Sequence, residues 1–207
     1  MKKAGGAVAA SLALSGLSRS NLAERTIRVL HRGRTGNPDV LLVRAGDHPV
    51  VVKDFASRPP WMRLAGRILV AREIRAWRAL EGLAHVPRLL GRLDALAFCL
   101  EYRPGTRLAG HTMKDLPASF PRDLEAAIRA VHSRGVVHLD LSHRSNVQVD
   151  RAGRPVLIDF GAAWVLRPGG LPARWLLPWL ARVDLRALRK WQRKFSRYRS
   201  ERATPRE

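Results

Sequence analysis

The run His138-Leu139-Asp140-Leu141-Ser142-His143-Arg144-Ser145-Asn146-Val147-Gln148-Val149-Asp150-Arg151-Ala152-Gly153-Arg154-Pro155-Val156-Leu157-Ile158-Asp159-Phe160-Gly161 decides how this chain is read. Its middle has the pattern of a hairpin. Val147 and Val149, alternating with Gln148, and the run Val156 to Ile158 are apolar and largely β-branched, and Asp150-Arg151-Ala152-Gly153 between them is turn-forming. The two most polar clusters of the sequence flank that hairpin, His138 to Asn146 before it and Asp159 to Gly161 after it.

Working back from the run, Pro121 opens a helix in which Leu124, Ile128 and Val131 share one face. Gly135 stands where its C-terminal cap belongs. The first half of the chain reads differently. Ile27 to Leu30, Val40 to Val43 and Val50 to Val52 are short apolar runs broken by Gly33, Gly36-Asn37-Pro38 and Gly46-Asp47, the pattern of an antiparallel meander. From Trp61 to Glu81, Leu64, Ile68, Ala71, Ile74, Trp77 and Leu80 recur at three or four residues, which predicts an amphipathic helix with Glu73 on its polar face and Gly82 at its end. A further strand pair is predicted near Leu89 to Leu93 and Ala97 to Glu101.

With these elements in order, the polar clusters resemble the catalytic loop H-R-D-L-x-x-x-N and the metal-binding D-F-G of the protein kinase fold. The resemblance extends to Val51-Val52-Lys53, similar to the V-A-I-K strand, and to Glu73 on the following helix. It covers roughly residues 25 to 165. It implies an α+β, two-lobed protein kinase-like fold with a β-rich N-lobe and a reduced helical C-lobe. The corresponding divisions are an N-terminal extension (1–24), a β-rich ATP-binding lobe (25–101), a reduced catalytic lobe (102–200) and a tail (201–207).

The resemblance also implies roles, because phosphoryl transfer is catalysed mostly by positioning and charge stabilisation around the triphosphate. Lys53 would hold the α/β-phosphates of ATP and Glu73 would hold Lys53. Asp159 would bind Mg²⁺, Asn146 a second metal, and Asp140 would orient or deprotonate the acceptor hydroxyl, with Arg144 placed to neutralise charge on the transferring group. Gly33 and Gly36 would allow the backbone close to phosphate, and the main chain of Glu101 and Tyr102 would meet the adenine ring. His138 reads as a structural residue of the loop, since Asp140 already has the role of base.

The pattern departs from the family in three places. The interval from Asp140 to Asn146 is one residue longer than usual and puts Ser145 at the expected position, but an amide oxygen is the better ligand. Arg32-Gly33-Arg34-Thr35-Gly36 has two glycines rather than three. After Gly161 there is no A-P-E motif and no room for a eukaryotic-type activation segment and full helical lobe. This brevity, with Ser142 two residues after Asp140, is similar to the compact RIO-like, Bud32-like and lipopolysaccharide core kinases. Three functions follow as expectations: an atypical serine/threonine protein kinase, a kinase of a lipopolysaccharide core sugar, or a non-catalytic basic module that keeps the fold. The acceptor would be a protein or glycolipid hydroxyl.

Composition bounds the partners. Lys and Arg number 38 against 17 Asp and Glu, a formal net charge of +21, which suits nucleic acid, an anionic membrane face or a phosphorylated lipid or sugar; a basic solvated surface is the alternative, and nucleic acid is the less favoured partner. The one cysteine, Cys99, lies in an apolar run and reads as a small buried hydrophobe, with no support for a disulfide or a zinc site. Met1-Lys2-Lys3 and Ala4 to Leu17 imitate a secretory signal, yet the stretch is weakly hydrophobic and lacks a clear cleavage site, so a cytoplasmic chain is expected. Trp175, Leu176, Leu177, Trp179 and Leu180 beside Arg167, Arg174 and Arg182 read either as a helix closing the core or as an interfacial stretch peripheral to the inner membrane face. The basic stretch from Arg186 to Glu207 is expected to begin as a helix and fray.

Overall fold

Near-continuous burial of β-branched and apolar residues marks the central strands of the first sheet. In a computed structural model, which describes residues 14, 16–34, 36–109, 113, 115–167 and 169–203 (side chains of 171–174 and 201–203 excepted), β1 (Thr26–His31), β2 (Asp39–Ala45), β3 (His48–Asp54), β4 (Leu89–Arg92) and β5 (Ala97–Glu101) form one antiparallel sheet. Its order is β1-β2-β3-β5-β4. Leu41, Val43, Val50, Val52 and Cys99 are buried together on it, with Leu22 from the segment before β1 and with Leu14 and Leu17 packed alongside. Burying a Val or Leu side chain of this kind contributes about 1.5–3 kcal/mol. Burial, and secondarily the charge of Asp94, push the Cys99 thiol up to about 12, so it stays protonated and serves as a small apolar residue.

These strands belong to one of two compact units, Met1–Arg78 with Pro87–Tyr102; the other is Ala79–Val86 with Arg103–Glu207. The helix of the first unit, α1 (Pro60–Ala79), corrects the expected choice of face. It buries Gly66, Val70, Glu73, Ile74, Ala76 and Trp77, while Trp61, Leu64 and Ile68 are exposed. Glu73 is thus on the buried face, not the polar one. Two contacts set that face: Glu73 meets Lys53 of β3, and Gly66 lies so close to Phe55 that a Cβ there would stand 2.9 Å from the Phe55 Cβ. An ion pair and a close approach outweigh the apolar count along the helix.

The second unit holds two small antiparallel sheets. One has the order β6-β8-β9, from β6 (Gly105–Arg107), β8 (Val147–Asp150) and β9 (Pro155–Leu157); the other pairs β7 (Val136–Val137) with β10 (Trp164–Val165). The β8–β9 hairpin turns through Gly153 at φ +75°, where an L side chain would be strained. Helix α2 (Phe120–Ser133) buries Phe120, Leu124, Ala127, Ile128 and Val131, the face its spacing predicts. Helix α3 (Leu171–Ala203) runs through the basic stretch as far as Ala203, so the stretch does begin as a helix. Ala181, Asp184, Ala187, Leu188, Trp191 and Phe195 are its buried line, and Phe195 stacks on Phe120 with ring centroids 6.4 Å apart. Residues 204–207 lie outside those described.

Among the described residues the fold is therefore mixed α and β, with a β-rich sheet and three helices, compatible with a small kinase-like fold. No described helix is long and apolar enough to cross a membrane.

Candidate active site

In the first unit, β3 and α1 bring Lys53 and Glu73 together. Lys53 pairs across the sheet with Val40 and Phe98, and its Nζ donates to Glu73 Oε1 at 2.7 Å, with both side chains buried. Removing an ammonium or a carboxylate from water costs several kcal/mol, so each ion is tolerable here only with its partner. One helical turn after Glu73, the Trp77 indole N–H donates to the same Oε1 at 3.1 Å. Trp77 thereby fixes the carboxylate rotamer, a role that its apolar character hides in the sequence.

The loop between β1 and β2 is built on Asp39. This buried carboxylate accepts the Gly33 amide at 2.9 Å, Ser57 Oγ at 2.9 Å, Arg32 at 3.1 Å and the Arg58 guanidinium. Burial alone would raise the pKa of Asp39, but the Gly33, Ser57 and Arg32 hydrogen bonds and the Arg58 charge outweigh it and hold the group below the usual carboxylate range. Arg58 also donates to the Gly33 carbonyl at 2.5 Å. A Cβ at Gly33 would lie 2.2 Å from the Asn37 carbonyl oxygen. Gly33 is therefore required to close this loop on itself, and its amide is committed to Asp39. Gly36 has open space around it, and Thr35 lies outside the described residues.

Glu101 ends β5, and its N–H donates to the Arg88 carbonyl at 2.9 Å while its carboxylate accepts the Arg88 N–H at 3.0 Å. The Glu101 amide is thus taken up locally; Tyr102 follows it as the last residue of the first unit.

In the second unit, the loop before β8 gathers Asp140, Ser145 and Asn146. The buried Asn146 amide donates through Nδ2 to Asp140 Oδ2 at 2.8 Å and to the Asp140 carbonyl at 2.9 Å. Ser145 Oγ donates to Asn146 Oδ1 at 3.1 Å and lies 2.5 Å from His143 Nδ1. The extra residue in the loop therefore places a hydroxyl beside the amide oxygen instead of displacing it. Arg144 is exposed. The Ile158 N–H donates to the Asn146 carbonyl at 3.0 Å, which continues the β8–β9 pairing and sets Asp159 one residue beyond that rung.

Asp159 is exposed and has φ +65°, in the left-handed region, and its Oδ1 accepts the Gly161 N–H at 3.3 Å. Leu139 has φ +67°. A non-glycine residue in this region costs about 1–3 kcal/mol and persists where its surroundings over-determine it. At Leu139 the cause is Asp184 on α3, which sequence reading missed. Its carboxylate, almost wholly buried, accepts the His138 and Leu139 amides at 2.8 Å each and His132 Nε2 at 2.9 Å. Trp191, two turns along α3, donates its indole N–H to the Leu141 carbonyl at 2.8 Å. The available signal was composition: Asp184 is the sole acidic residue between Asp159 and Glu201.

His138 is structural, as expected. Its Nε2 donates to the Ile158 carbonyl at 3.0 Å, its Nδ1 accepts the Asp140 N–H at 3.3 Å, and its ring packs on Phe160 with centroids 4.6 Å apart. One acceptor and one donor on the two nitrogens define the neutral, Nε2-protonated tautomer.

The sequence matches no protein-family model. Over 81 residues it is 37% identical to serine/threonine-protein kinase PKH3 of Saccharomyces cerevisiae (strain ATCC 204508 / S288c), an alignment that covers 36% of this chain and 9% of that protein. The likeness supports a kinase-like relationship and, at most, a kinase-like function. Because the chain spans so little of that kinase, the activity of the whole yeast protein does not transfer with it.

The donors present suit a small, hard cation. The Asn146 amide oxygen and the Asp159 carboxylate are hard oxygen donors; Asp140 takes the Asn146 Nδ2, and Oδ1, which accepts from Ser145 Oγ, keeps a second lone pair. Among the described residues no group of three or more His, Cys, Asp or Glu could hold a metal by itself. A cation at these two residues would draw its remaining ligands from water and phosphate, as Mg²⁺ ordinarily does.

Proposed function

We propose that the protein is an ATP-dependent phosphotransferase that moves the γ-phosphoryl group to a hydroxyl, most simply as an atypical serine/threonine protein kinase of the RIO-like kind. The observation that carries this reading is the Asp140 carboxylate held by the Asn146 amide, one strand rung from an Asp159 fixed in the left-handed region. The Lys53–Glu73 pair adds to it, for a buried lysine held by one carboxylate oxygen is a preset phosphate ligand.

In this reading Mg²⁺ supplies charge neutralisation at the phosphates, and Asn146 and Asp159 are the residues that would hold it. Asp140 accepts the proton of the acceptor hydroxyl at its carboxylate, oriented by Asn146. Lys53 binds phosphate oxygens, positioned by Glu73 and Trp77. Arg144, exposed in the same loop four residues after Asp140, meets the charge of the transferring group. Tyr102 and the Glu101 carbonyl offer main-chain groups to the base of the nucleotide. Gly36 is the part of the β1–β2 loop with room for close approach, whereas Gly33 acts by holding the loop's shape. The working place is the cytoplasm, where ATP is held.

A second reading has the acceptor as a lipopolysaccharide core sugar at the inner membrane face. The exposed Trp175 and Trp179 favour it, because a soluble peptide acceptor gives them no task. The deciding experiment incubates the protein with Mg²⁺ and ATP labelled at the γ-phosphate, alone and with a membrane glycolipid extract. Label in protein or lipid that falls at least about a thousandfold in Asp140→Ala and Asp159→Ala supports the transferase and names the acceptor class. Full activity in Asp159→Ala removes the metal assignment. No transfer and no ATP binding by calorimetry leaves a non-catalytic basic module.

A further inference from the structure

The first turns of α3 present an apolar surface that the fold does not use. Trp175 is 78% exposed and Trp179 is 62% exposed, and Leu176 and Val183 are exposed beside them. The opposite line, from Ala181 through Asp184 and Leu188 to Trp191 and Phe195, makes the packing contacts of the helix. Of the two readings that the sequence left open for this segment, closing the core belongs to the later turns and does not account for Trp175 and Trp179.

The charge on the same helix says what such a face fits. Residues 175, 179, 182, 186, 189 and 193 recur at three or four and so share one side of a helix. The first two are tryptophans, and the others, Arg182, Arg186, Arg189 and Arg193, are exposed arginines. From Trp175 to Ser200 the one acidic residue is Asp184, and it is buried. The exposed side of α3 thus carries aromatic and aliphatic groups followed by arginines, with no exposed carboxylate between 175 and 200. Nucleic acid would answer the arginines but leave Leu176 and Val183 without a partner. A bilayer with anionic headgroups answers both, since tryptophan favours the headgroup boundary and arginine the negative surface potential.

We propose that the exposed face of α3 from Trp175 to Arg193 docks the protein on an anionic lipid bilayer, lying in the interface without crossing it. The contact is independent of phosphotransfer and is measured without nucleotide, so its failure and the failure of the transferase reading are separate results.

The test uses the full chain with vesicles of phosphatidylcholine alone and of phosphatidylcholine mixed with phosphatidylglycerol, read by co-sedimentation and by quenching of tryptophan emission with brominated acyl chains. The parent is expected to sediment with the anionic vesicles, to be quenched, and to keep part of its binding in high salt. Trp175→Ser with Trp179→Ser is expected to lose the quenching and the salt-resistant part and to bind about tenfold more weakly. Arg182→Gln with Arg186→Gln and Arg189→Gln is expected to lose the preference for anionic vesicles. Thermal melts by circular dichroism confirm that each variant folds; should the double variant not fold, the single changes Trp175→Ser and Trp179→Ser decide, each expected to lose part of the quenching, because Trp61 and Trp164 are also exposed and quenching of the parent alone does not name α3. Binding by the tryptophan variant equal to the parent's, or a parent without quenching, overturns the proposal in favour of bulk charge alone. A dimer of the parent that forms without vesicles and dissolves in the tryptophan variant overturns it in favour of a second copy as the occupant.

Discussion

Two buried carboxylates organise the two units, and they work by different chemistry. Glu73 in the first unit holds side chains: the Lys53 ammonium at 2.7 Å and the Trp77 indole at 3.1 Å. Asp184 in the second unit holds mainly backbone: the His138 and Leu139 amides at 2.8 Å each, with His132 as its side-chain partner. The Glu73 arrangement is made of side chains and can be dismantled by substitution. The backbone donors to Asp184 cannot be, because no substitution removes a backbone N–H short of proline. Glu73 therefore serves a lysine, whereas Asp184 serves the conformation of a loop.

The largest expected effect breaks the second arrangement. Asp184→Ala leaves a buried amide, a half-buried amide and an imidazole without their acceptor, at about 1–3 kcal/mol for each orphaned donor. It also removes what holds Leu139 at φ +67°. Stability should fall by about 5 kcal/mol in urea titrations. Asp184→Asn keeps one acceptor oxygen and turns an NH₂ toward the remaining donors, so it should cost less, about 2–3 kcal/mol. A loss below about 1 kcal/mol in Asp184→Ala would show that water or a neighbouring group satisfies the amides.

The first arrangement should respond differently to single and paired changes. Lys53→Met leaves the buried Glu73 carboxylate without its lysine and should cost about 3–4 kcal/mol, whereas Lys53→Met with Glu73→Leu should recover part of that, remaining about 1–2 kcal/mol below the parent because the Trp77 indole loses its Glu73 acceptor. The double variant should fold and yet transfer no phosphate. Additive losses in the two changes would mean that the pair is not coupled, and the contrast with Asp184 would disappear.

That contrast also explains what could be read from the sequence. Lys53, Glu73, Asp140, Asn146 and Asp159 could be singled out as candidates because their residue types and order carry the pattern of the resemblance themselves. The strands around Lys53 and the α2 face through Leu124, Ile128 and Val131 followed from simple periodicity. Asp184, Asp39 and Trp77 were hidden because their partners are backbone amides, or residues far along the chain, which leave no local spacing. The face of α1 was misread for a related reason. Leu64 and Ile68 satisfy a helical period, but Gly66 against Phe55 and Glu73 against Lys53 decide which side is buried. Gly33 was assigned to phosphate approach, although its amide belongs to Asp39.

A smaller effect sharpens the comparison inside the loop before β8. Asn146→Ala removes the two donors to Asp140 and should cost about 2 kcal/mol, with a loss of any transferase activity larger than that of stability. Ser145→Ala leaves both of those bonds in place and should cost less than about 1 kcal/mol. Activity kept by Asn146→Ala and lost by Ser145→Ala would give the second ligand position to the hydroxyl.

The smallest expected effect is on the acid limb of stability, and it again separates the units. Asp39 in the first unit is held below the ordinary carboxylate range despite its burial, while Asp150 in the second is lowered, against a desolvation cost, by the Arg154 and Ala152 hydrogen bonds and the Arg154 charge at a surface hairpin. A carboxylate with a depressed folded pKa takes up its proton more readily when unfolded. Its contribution is therefore complete above the unfolded value of about 3.9, and it is lost as pH falls through the lower folded value. Asp39→Asn should destabilise by about 1–2 kcal/mol at neutral pH, and the gap to the parent should close below about pH 4. Asp150→Asn should do so by no more than a few tenths of a kcal/mol, since its partner Arg154 is largely in water. The measurement is urea unfolding of the parent and both variants across the acid range. A gap for Asp39→Asn that stays constant through that range would mean that Asp39 contributes through the packing of the Gly33 loop rather than through its charge.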